Sequence, residues 1–534
     1  MVYAIYDTTG IQSYIFASTK LKENIGASEL VGQVFTKFLP QVLKHIFGED
    51  NIITDWKNQP TTDNWTLTKT AEIIYVGGGN AYVAYSSACA YKEATTALLR
   101  KVYDKTATIG IASAYVETDF KSGYPQQHKD LMQKLSQAKG EATRPIGAGS
   151  QPITKTSLLT GLPVTEIVEN EFLSKDQSLK RAANLGVFET FDDLKRGRTS
   201  FLAVIHVDGN NVGQHIETYM SNKNDDWSLA VPKIRKMSSR ISEIYCKAYE
   251  ATRKIFCDFY TSDKCKNYRK EVGDKDKLPL LKLISDGDDI TCVITGLWGI
   301  SFATELLRQI EYFGNIKLNP FEKWPEGLTK PRISACAGVV LFHSHYPFSE
   351  AYKMAEECCR NAKKYTRKAE EYTNNVVGSF IDFHLHQGGA ITDLQTLRNR
   401  KYRAGDKNLI HVPYWVENKN VMDAENLARF ESKYPSIYDF DTLIRDWTNQ
   451  DSKSKWPRSR LKALQGAIAE GEGSVQKVID WCKVRGYLLP EKYETYLPPD
   501  DDNDDNRDKL YKYTRLFNVL EFADIYENIC EGSE

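Results

Sequence analysis

Three aspartates and a glycine interrupt an apolar pattern in LKLISDGDDITCVI, residues 281 to 294, and these residue types could support metal chemistry. Asp286, Asp288 and Asp289 surround Gly287, with β-branched residues nearby, which is typical of a hairpin with an acidic turn. This crowding of negative charge is unfavourable unless a cation or the turn geometry compensates for it. Asp and Gly are also ordinary turn residues, so the motif alone allows a purely structural interpretation.

A fourth aspartate could complete such a site. Asp208 ends the apolar strand pattern FLAVIHVD, and in a β-α-β-β-α-β unit the first strand lies beside the central hairpin. Asp208 can therefore lie next to Asp288 and Asp289. Carboxylates in this arrangement hold two divalent ions for in-line phosphoryl transfer, and hard oxygen ligands favour Mg²⁺ or Mn²⁺. Gly209 and Gly287 would let the backbone approach a phosphate closely.

The elements that must position these residues occur twice. The order strand, helix, hairpin, helix, strand is predicted from strand VYAIYD onwards and again from FLAVIHVD onwards. After about residue 395 the apolar spacing becomes helical. The sequence therefore predicts an α+β fold with two ferredoxin-like units and a C-terminal helical domain. The predicted boundaries are 1–118 for the first unit, 119–199 for a polar connector or small insert, 200–394 for the second unit and 395–534 for the helical domain.

The two predicted units can be compared residue by residue. Asp7 matches Asp208 at the end of the first strand, and YVGGGNAYV matches ISDGDDITC at the hairpin. The turn is predicted to have the same shape in both units, but its carboxylates occur only in the second. Because glycine and asparagine suffice in the first unit, the acids of the second favour a function. The residues of the first turn are Gly77, Gly78, Gly79 and Asn80.

Composition excludes several classes of protein. A chain of 534 residues is too long for one core, and a net charge of −1 gives no general basic field for nucleic acid. No apolar run is long enough to span a bilayer, and MVYAIYDTTGIQSY lacks the pattern of an export signal. The ten cysteines include no C-x-x-C pair, so the sequence predicts buried free thiols, no zinc ribbon and a cytoplasmic location.

Five motifs together resemble the large palm-domain subunit of type III CRISPR effector complexes, the CRISPR polymerase/cyclase family. They are TGIQSYIFASTKLKENIGASELV, YVGGGN, VDGNNVG, ISDGDD (where the family has S-G-G-D-D) and the segment from ISACAGVVLF to NAKK. The last segment places Ala362 and Lys363 on the family's A-K pair. The resemblance covers roughly residues 1 to 375 and, more weakly, the helical tail.

The resemblance implies two palm domains, of the nucleotide-cyclase and polymerase type, that make cyclic oligoadenylate from ATP. By its motifs, Asp208, Asp288 and Asp289 would be catalytic residues and metal ligands, and Lys363 would contact phosphate. The remaining residues implied in substrate binding are Gly77, Gly78, Gly79, Asn80, Gly209 and Gly287.

Several departures from the family pattern limit what the resemblance implies. Asp286 stands where the family has glycine, and Asn210 stands where an acid is common. The His-Asp dipeptide and the cysteines of the usual zinc site are absent, so we expect a form without the N-terminal nuclease domain. Target-RNA recognition and DNA cleavage are therefore not carried over.

The predicted function is a nucleotidyltransferase that makes cyclic or linear oligonucleotide second messengers, with ATP as the expected substrate, in antiviral defence. Its expected partners are nucleoside triphosphates; CRISPR effector subunits with guide and target RNA, and self-association, stay open, and no membrane is expected. One alternative is a catalytically weak scaffold subunit of an RNA-guided complex. Another is a cyclic-dinucleotide cyclase, which would prefer GTP and act as a homodimer. Base preference, ring size and activating signal are not decided by the sequence.

Overall fold

The computed structural model describes most of the chain. The described residues are 1–59, 64–141, 153–186, 188–197, 199–220, 226–270, 277–321, 324, 330–373, 378–389, 393–404, 407–416, 434–448, 456–487 and 511–530.

Strands and helices alternate along the first 400 residues, and helices dominate thereafter. The strands are β1 Val2–Thr9, β2 Ile52–Ile53, β3 Ala71–Gly77, β4 Asn80–Tyr85, β5 Gly110–Glu117, β6 Val164–Val168, β7 Glu171–Ser174, β8 Phe201–Gly209, β9 Leu280–Asp286, β10 Asp289–Thr295, β11 Ala335–His343, β12 Phe380–Leu385, β13 Arg403–Ala404, β14 Lys407–Asn408 and β15 Tyr414–Trp415. The helices are α1 Ile11–Ile15, α2 Leu21–Gln33, α3 Leu39–Phe47, α4 Ala88–Thr106, α5 Tyr124–Glu141, α6 Lys175–Ala182, α7 Val212–Met220, α8 Trp227–Thr261, α9 Lys266–Lys270, α10 Gly299–Tyr312, α11 Phe348–Thr373, α12 Leu394–Lys401, α13 Ile437–Thr448, α14 Arg458–Glu470, α15 Glu472–Val484 and α16 Tyr511–Phe522.

Two sheets share the same central strand order. The first sheet has the order β2-β3-β4-β1-β5, and the second has the order β15-β12-β11-β8-β10-β9. In each, the first strand of the unit lies between the hairpin and the last strand, as in a ferredoxin-like unit. The predicted α+β class is therefore confirmed. In the second sheet β12 adds to β11 in parallel, and β15 adds to β12.

The two units pack against each other reciprocally. Helix α2 of the first unit contacts β9 of the second, where the Ser28 hydroxyl donates to the Leu283 carbonyl. Helix α8 of the second unit contacts β3 of the first, where Arg235 Nη2 lies 2.7 Å from Glu72 Oε1. Both side chains of this ion pair are buried, and Arg235 Nε also donates to the Ile74 carbonyl. Because a buried charge without its partner is costly, this pair favours one relative placement of the two units.

Helix α11 packs unusually close to β11. A Cβ atom added to Gly338 would lie 1.8 Å from the Ala355 carbonyl oxygen, so only glycine allows this approach. Buried Ala351, Ala355 and Ala362 continue the small-residue face of the helix. This packing brings the C-terminal half of α11 to the ends of the central strands.

The segment 119–199 is predicted to be a polar connector or small insert, but it has more regular structure than that description implies. It contains the 18-residue helix α5, the hairpin β6–β7 and helix α6. Helix α5 packs on β5 and buries Leu131 and Leu135. Only a narrow apolar stripe marks this helix in an otherwise polar sequence, so its periodicity is weak.

Other predictions about helices meet mixed outcomes. Residues 26 to 48 have apolar residues at helical spacing, with Pro40 expected to kink or divide the helix. The structure does divide it, into α2, a π-helical turn and α3, with Pro40 in the first turn of α3. The predicted C-terminal helices near 437, 458 and 475 are present as α13, α14 and α15. The predicted helix ENLARFESKY falls almost entirely, and the acidic stretch PPDDDNDDNRD entirely, outside the described residues.

Within the described part of the chain, no helix combines the length and apolar character needed to cross a membrane. All ten cysteines are free thiols. Six of them are buried, as predicted, whereas Cys89 and Cys246 are exposed and Cys257 and Cys530 are partly exposed.

Candidate active site

The central strands of the second unit place three aspartates at one edge of the sheet. Asp289 on β10 lies directly opposite Asp208 on β8, and Asp286 on β9 lies opposite Asp289. Gly287 and Asp288 form the two-residue turn between β9 and β10. The structure therefore brings Asp208 next to the acidic turn, as the strand order predicts.

The two hairpin turns have different backbone shapes, which corrects the prediction that they are alike. In the first unit Gly78 and Gly79 both have positive φ, 62° and 73°. In the second unit Gly287 has φ 60°, whereas Asp288 keeps an ordinary negative φ. A side chain at the second turn position disfavours the left-handed conformation, so the aspartate changes the turn type.

A cavity of about 230 Å³ opens beside Asp208 and Asp288. Its wall combines these carboxylates with the loop that leads into α7 and with three residues of α11. The lining residues are Asp208, Gly209, Asn210, Asn211, Val212, Gly213, Asp288, Lys363, Thr366 and Arg367. The cavity thus combines two carboxylates with two cationic side chains and a helix N-terminus.

Lys363 is held at the wall of this cavity. Its Nζ lies 2.6 Å from Asp208 Oδ2 and donates to the Gly209 carbonyl at 2.8 Å. Arg367, one helical turn further along α11, lines the same cavity. Sequence analysis missed Arg367, although its spacing of four residues from Lys363 places both on one helix face.

Burial and mutual repulsion act on the carboxylates. Burial raises the pKa of Asp288 to about 6, and the negative charge of Asp208 adds to this rise. Burial also raises the pKa of Asp289 well above its usual value, again with a contribution from Asp208. A divalent cation between these groups would relieve both effects.

Asp289 is not part of the cavity wall. Its Oδ1 is buried, forms no hydrogen bond and lies 3.3 Å from Nδ1 of His206. Burial lowers the pKa of His206 to about 4, so this ring is neutral at neutral pH. His206 was not predicted as a site residue; its position two residues before Asp208, on the same strand face, is the signal that could have found it.

The carboxylates fit a cation only in part. Among the residues that the structure describes, no group of three or more histidine, cysteine, aspartate and glutamate side chains forms a ready metal site. Asp208 and Asp288 face one cavity, and the unpaired Asp289 oxygen lies beside them. This donor set suits Mg²⁺ or Mn²⁺, which retain several water ligands and need few carboxylates.

The hydroxyl group of Tyr245, on α8, lies near Gly209 and Asp288. Its buried hydroxyl forms no hydrogen bond. A Cβ added to Gly209 would lie 2.6 Å from the Tyr245 hydroxyl oxygen and 2.7 Å from Asp288 Oδ2, so both atoms converge on Gly209. Gly209 therefore has a packing role here, and no sequence motif marks Tyr245.

The turn of the first unit touches the turn of the second. Asp286 accepts hydrogen bonds from the backbone N–H groups of Gly78, at 2.9 Å, and Gly79, at 2.6 Å. A Cβ added to Gly287 would lie 3.6 Å from the Gly78 nitrogen, so the two tips lie close together. Gly77 pairs with Asn80 at the base of the first turn. The four residues of the first turn that the resemblance implies in substrate binding thus belong to the tip that meets the acidic hairpin.

Asn210, which departs from the family pattern, and Asp7, which matches Asp208 in the first unit, both have structural partners. Asn210 donates from Nδ2 to the Ser334 hydroxyl at 2.9 Å, which ties the loop before α7 to the start of β11. Asp7, which matches Asp208, lies 2.8 Å from Lys139 Nζ of α5. Each of the matched aspartates therefore has a lysine partner, although the lysines come from different helices.

Solved structures share this fold. No protein-family model and no curated protein matches the sequence. The crystal structure of a Csm1-Csm4 cassette in complex with pppApA matches with a TM-score of 0.50 and 13% identity, covering 98% of this chain and 69% of that chain. The fold is that of Csm1. Csm1-Csm4 cassettes in complex with AMPPNP and with cA4 match at 14% and 15% identity, with TM-scores of 0.49 and 0.47 and the same coverage. The expected resemblance to the large subunit of type III CRISPR complexes is thereby confirmed at the level of fold.

Proposed function

We propose that this protein is a nucleotidyltransferase that joins nucleoside triphosphates, ATP foremost, into linear or cyclic oligonucleotides in CRISPR-type antiviral defence. One observation carries the proposal: Asp208 and Asp288 share a cavity with Lys363, Arg367 and the N-terminus of α7. The similar Csm1-Csm4 cassette binds pppApA, a linear oligonucleotide with a triphosphate. A product of that kind is what such a cavity would make.

The cationic side of the cavity suits the triphosphate. Asn211 and Gly213 lie at the N-terminus of α7, where the helix dipole favours an anion. Lys363 and Arg367 of α11 add two positive charges to the cavity wall. Together these groups would hold the phosphates while the carboxylates remain beside the reacting oxygen.

Asp208 and Asp288, with Asp289 as a further candidate, would hold Mg²⁺ or Mn²⁺. When bound, the metal would lower the pKa of an attacking 3′-hydroxyl and stabilise charge on the phosphates. Lys363 orients Asp208 through its 2.6 Å contact. The residues Gly77 to Asn80 would shape a second nucleotide pocket on the opposing tip, with Gly209 and Gly287 allowing close approach.

The proposed domain organisation follows from the two sheets. We assign 1–118 and 200–394 as palm domains, of which only the second carries the carboxylates, 119–199 as a connector and 395–534 as a helical domain. The ten free thiols support the predicted cytoplasmic location. A partner subunit of the Csm4 type is part of the proposal because the similar structure is a cassette with Csm4.

A scaffold without turnover is the second candidate. Lys363 forms an ion pair with Asp208, and Asp286, which stands where the family has glycine, binds the other hairpin. The same geometry is therefore consistent with a site of low catalytic activity. A cyclic-dinucleotide cyclase acting as a homodimer is less well supported, because this chain contains both facing units.

The deciding experiment incubates the purified chain with each of the four nucleoside triphosphates and Mg²⁺ or Mn²⁺. Products are identified by mass spectrometry, with Asp288→Asn in parallel. Oligonucleotides that are absent with the variant support the synthase and identify its base. Bound ATP without any product, alone and with a Csm4-type partner, supports the scaffold.

A further inference from the structure

The contact between the two hairpin tips depends on one side chain. Asp286 uses both of its carboxylate oxygens: Oδ1 accepts from the Gly78 N–H at 2.9 Å and Oδ2 accepts from the Gly79 N–H at 2.6 Å. The acceptor belongs to the second unit, and both donors belong to the first.

The turn at Gly78 and Gly79, which is the tip of the first unit, has a shape that suits a carboxylate. Gly78 and Gly79 both have positive φ, so their successive N–H groups point to one side and form a small concavity for an anion. Hydrogen bonds from N–H groups to a carboxylate are stronger than those between neutral groups. Gly287 lies near Gly78 at the same contact: a Cβ added to Gly287 would lie 3.6 Å from the Gly78 nitrogen.

Asp286 therefore has a different role from Asp288, although only Gly287 separates them in the sequence. Asp286 is absent from the wall of the cavity, whereas Asp288 lines it. Because β9 leads from Asp286 directly into the turn, fixing Asp286 also fixes the backbone that carries Asp288. The contact thus connects the opposing tip to the position of a cavity carboxylate.

We propose that Asp286 is a positioning residue that joins the two tips and sets the distance between the Asp208–Asp288 cavity and the opposing Gly78–Gly79 turn. This inference rests on the proposed function, since the distance matters when two nucleotides react across the interface. It explains why a carboxylate can replace glycine here: it binds the facing turn rather than a cavity ligand.

The first test measures the contact without any reaction. Hydrogen exchange followed by mass spectrometry compares the wild type, Asp286→Gly and Asp286→Asn at the peptide that contains Gly78 and Gly79. Removing both acceptors should speed exchange there by at least about tenfold, and the amide, which keeps one acceptor, should give a smaller increase. Ser285→Gly is the matched control, because it loosens the same strand at an exposed position without touching the carboxylate.

Unchanged exchange in Asp286→Gly, or equal acceleration in Ser285→Gly, would overturn the proposed contact. These readouts do not require catalysis, so they decide the contact even when the wild type makes no product and the proposed function fails.

The second test separates positioning from binding. For an active wild type, Asp286→Gly should lower kcat for oligonucleotide synthesis by about tenfold or more while the Kd for Mg²⁺-ATP stays within about twofold. Asp286→Asn should restore part of the lost kcat. Faster exchange at the first tip with an unchanged kcat would overturn the positioning role, and so would a loss confined to Kd.

Discussion

Lys363 Nζ lies 2.6 Å from Asp208 Oδ2 and joins the last helix of the second unit to its first strand. The same nitrogen donates to the Gly209 carbonyl, so it also fixes the loop that enters α7. Burial raises the pKa of Asp288, the charge of Asp208 adds to the rise, and the positive charge of Lys363 opposes it. One lysine therefore affects two of the carboxylates proposed for catalysis.

The first prediction concerns Asp288. Replacing it by asparagine keeps the shape of the turn but removes the negative charge from the cavity. We expect synthesis to fall by about 10²-fold or more, comparable with the loss of one electrostatic group in other active sites. Product is quantified by mass spectrometry, with Asp104→Asn on the exposed face of α4 as a charge-matched control. Synthesis within about threefold of the wild type in Asp288→Asn would remove this residue from the mechanism.

At high pH, the Asp288→Asn variant should also be more stable to unfolding than the wild type. The pKa of Asp288 is about 6 in the folded chain and 3.8 without burial, so the folded state binds its proton more tightly. The free energy of unfolding therefore falls as the pH rises from about 4 through 6, and it stays lower above that range. Without added metal, Asp288→Asn should be about 1–2 kcal/mol more stable than the wild type at pH 8.

This advantage should shrink as the pH is lowered from 8 to 5, where the wild-type carboxyl is largely protonated. Urea unfolding of both proteins at pH 8 and at pH 5 measures this difference in the free energy of unfolding. A variant that is less stable than the wild type at pH 8 would show that burial does not strain this carboxylate. Added Mg²⁺ should raise the stability of the wild type more than that of the variant, because the variant has lost a proposed ligand.

Lys363→Met should weaken binding of ATP. The substitution retains an unbranched side chain but removes a positive charge from the cavity wall and leaves Asp208 without its partner. We expect the Kd for Mg²⁺-ATP to rise about tenfold, as for loss of one charge-assisted contact. Lys363→Arg should recover part of this affinity. Equal affinities in the wild type and in Lys363→Met would show that the lysine serves only to orient Asp208.

The Tyr245→Phe variant should show whether the Tyr245 hydroxyl contributes to kcat without contributing to stability. The Tyr245 hydroxyl is buried beside Asp288 and has no hydrogen-bond partner, so its removal should leave stability unchanged or slightly higher. If the hydroxyl binds a group that arrives with the nucleotide, kcat should fall about tenfold while the melting temperature does not fall. Unchanged kcat would indicate that Tyr245 only fills space beneath Gly209. Calorimetry and steady-state rates measure the two quantities.

The repeated strand and helix order could be predicted from the sequence because it depends on local signals. Apolar runs of strand length, turn residues between them and helical spacing are visible within short windows. The strand order then follows from the rules for such units, and it placed Asp208 opposite the turn at Asp289, as observed. The motif match also identified Lys363 before its contact with Asp208 was known.

The shape of each turn could not be predicted in the same way. Asp288 changes the second turn from that of Gly78 and Gly79, because a side chain restricts φ where glycine does not. Helix α5 was missed because only a few of its residues are buried, and Lys139 on it proved to be the partner of Asp7.

The sequence by itself determined which residues could do chemistry and which strands carry them. Only the tertiary structure decided which of them meet. Arg367 and Tyr245 reach the cavity region because α11 and α8 pack against the central sheet, and Asp286 meets Gly78 because the two units face each other. Such contacts join residues far apart in the chain, and they depend on the packing of whole faces rather than on any local pattern.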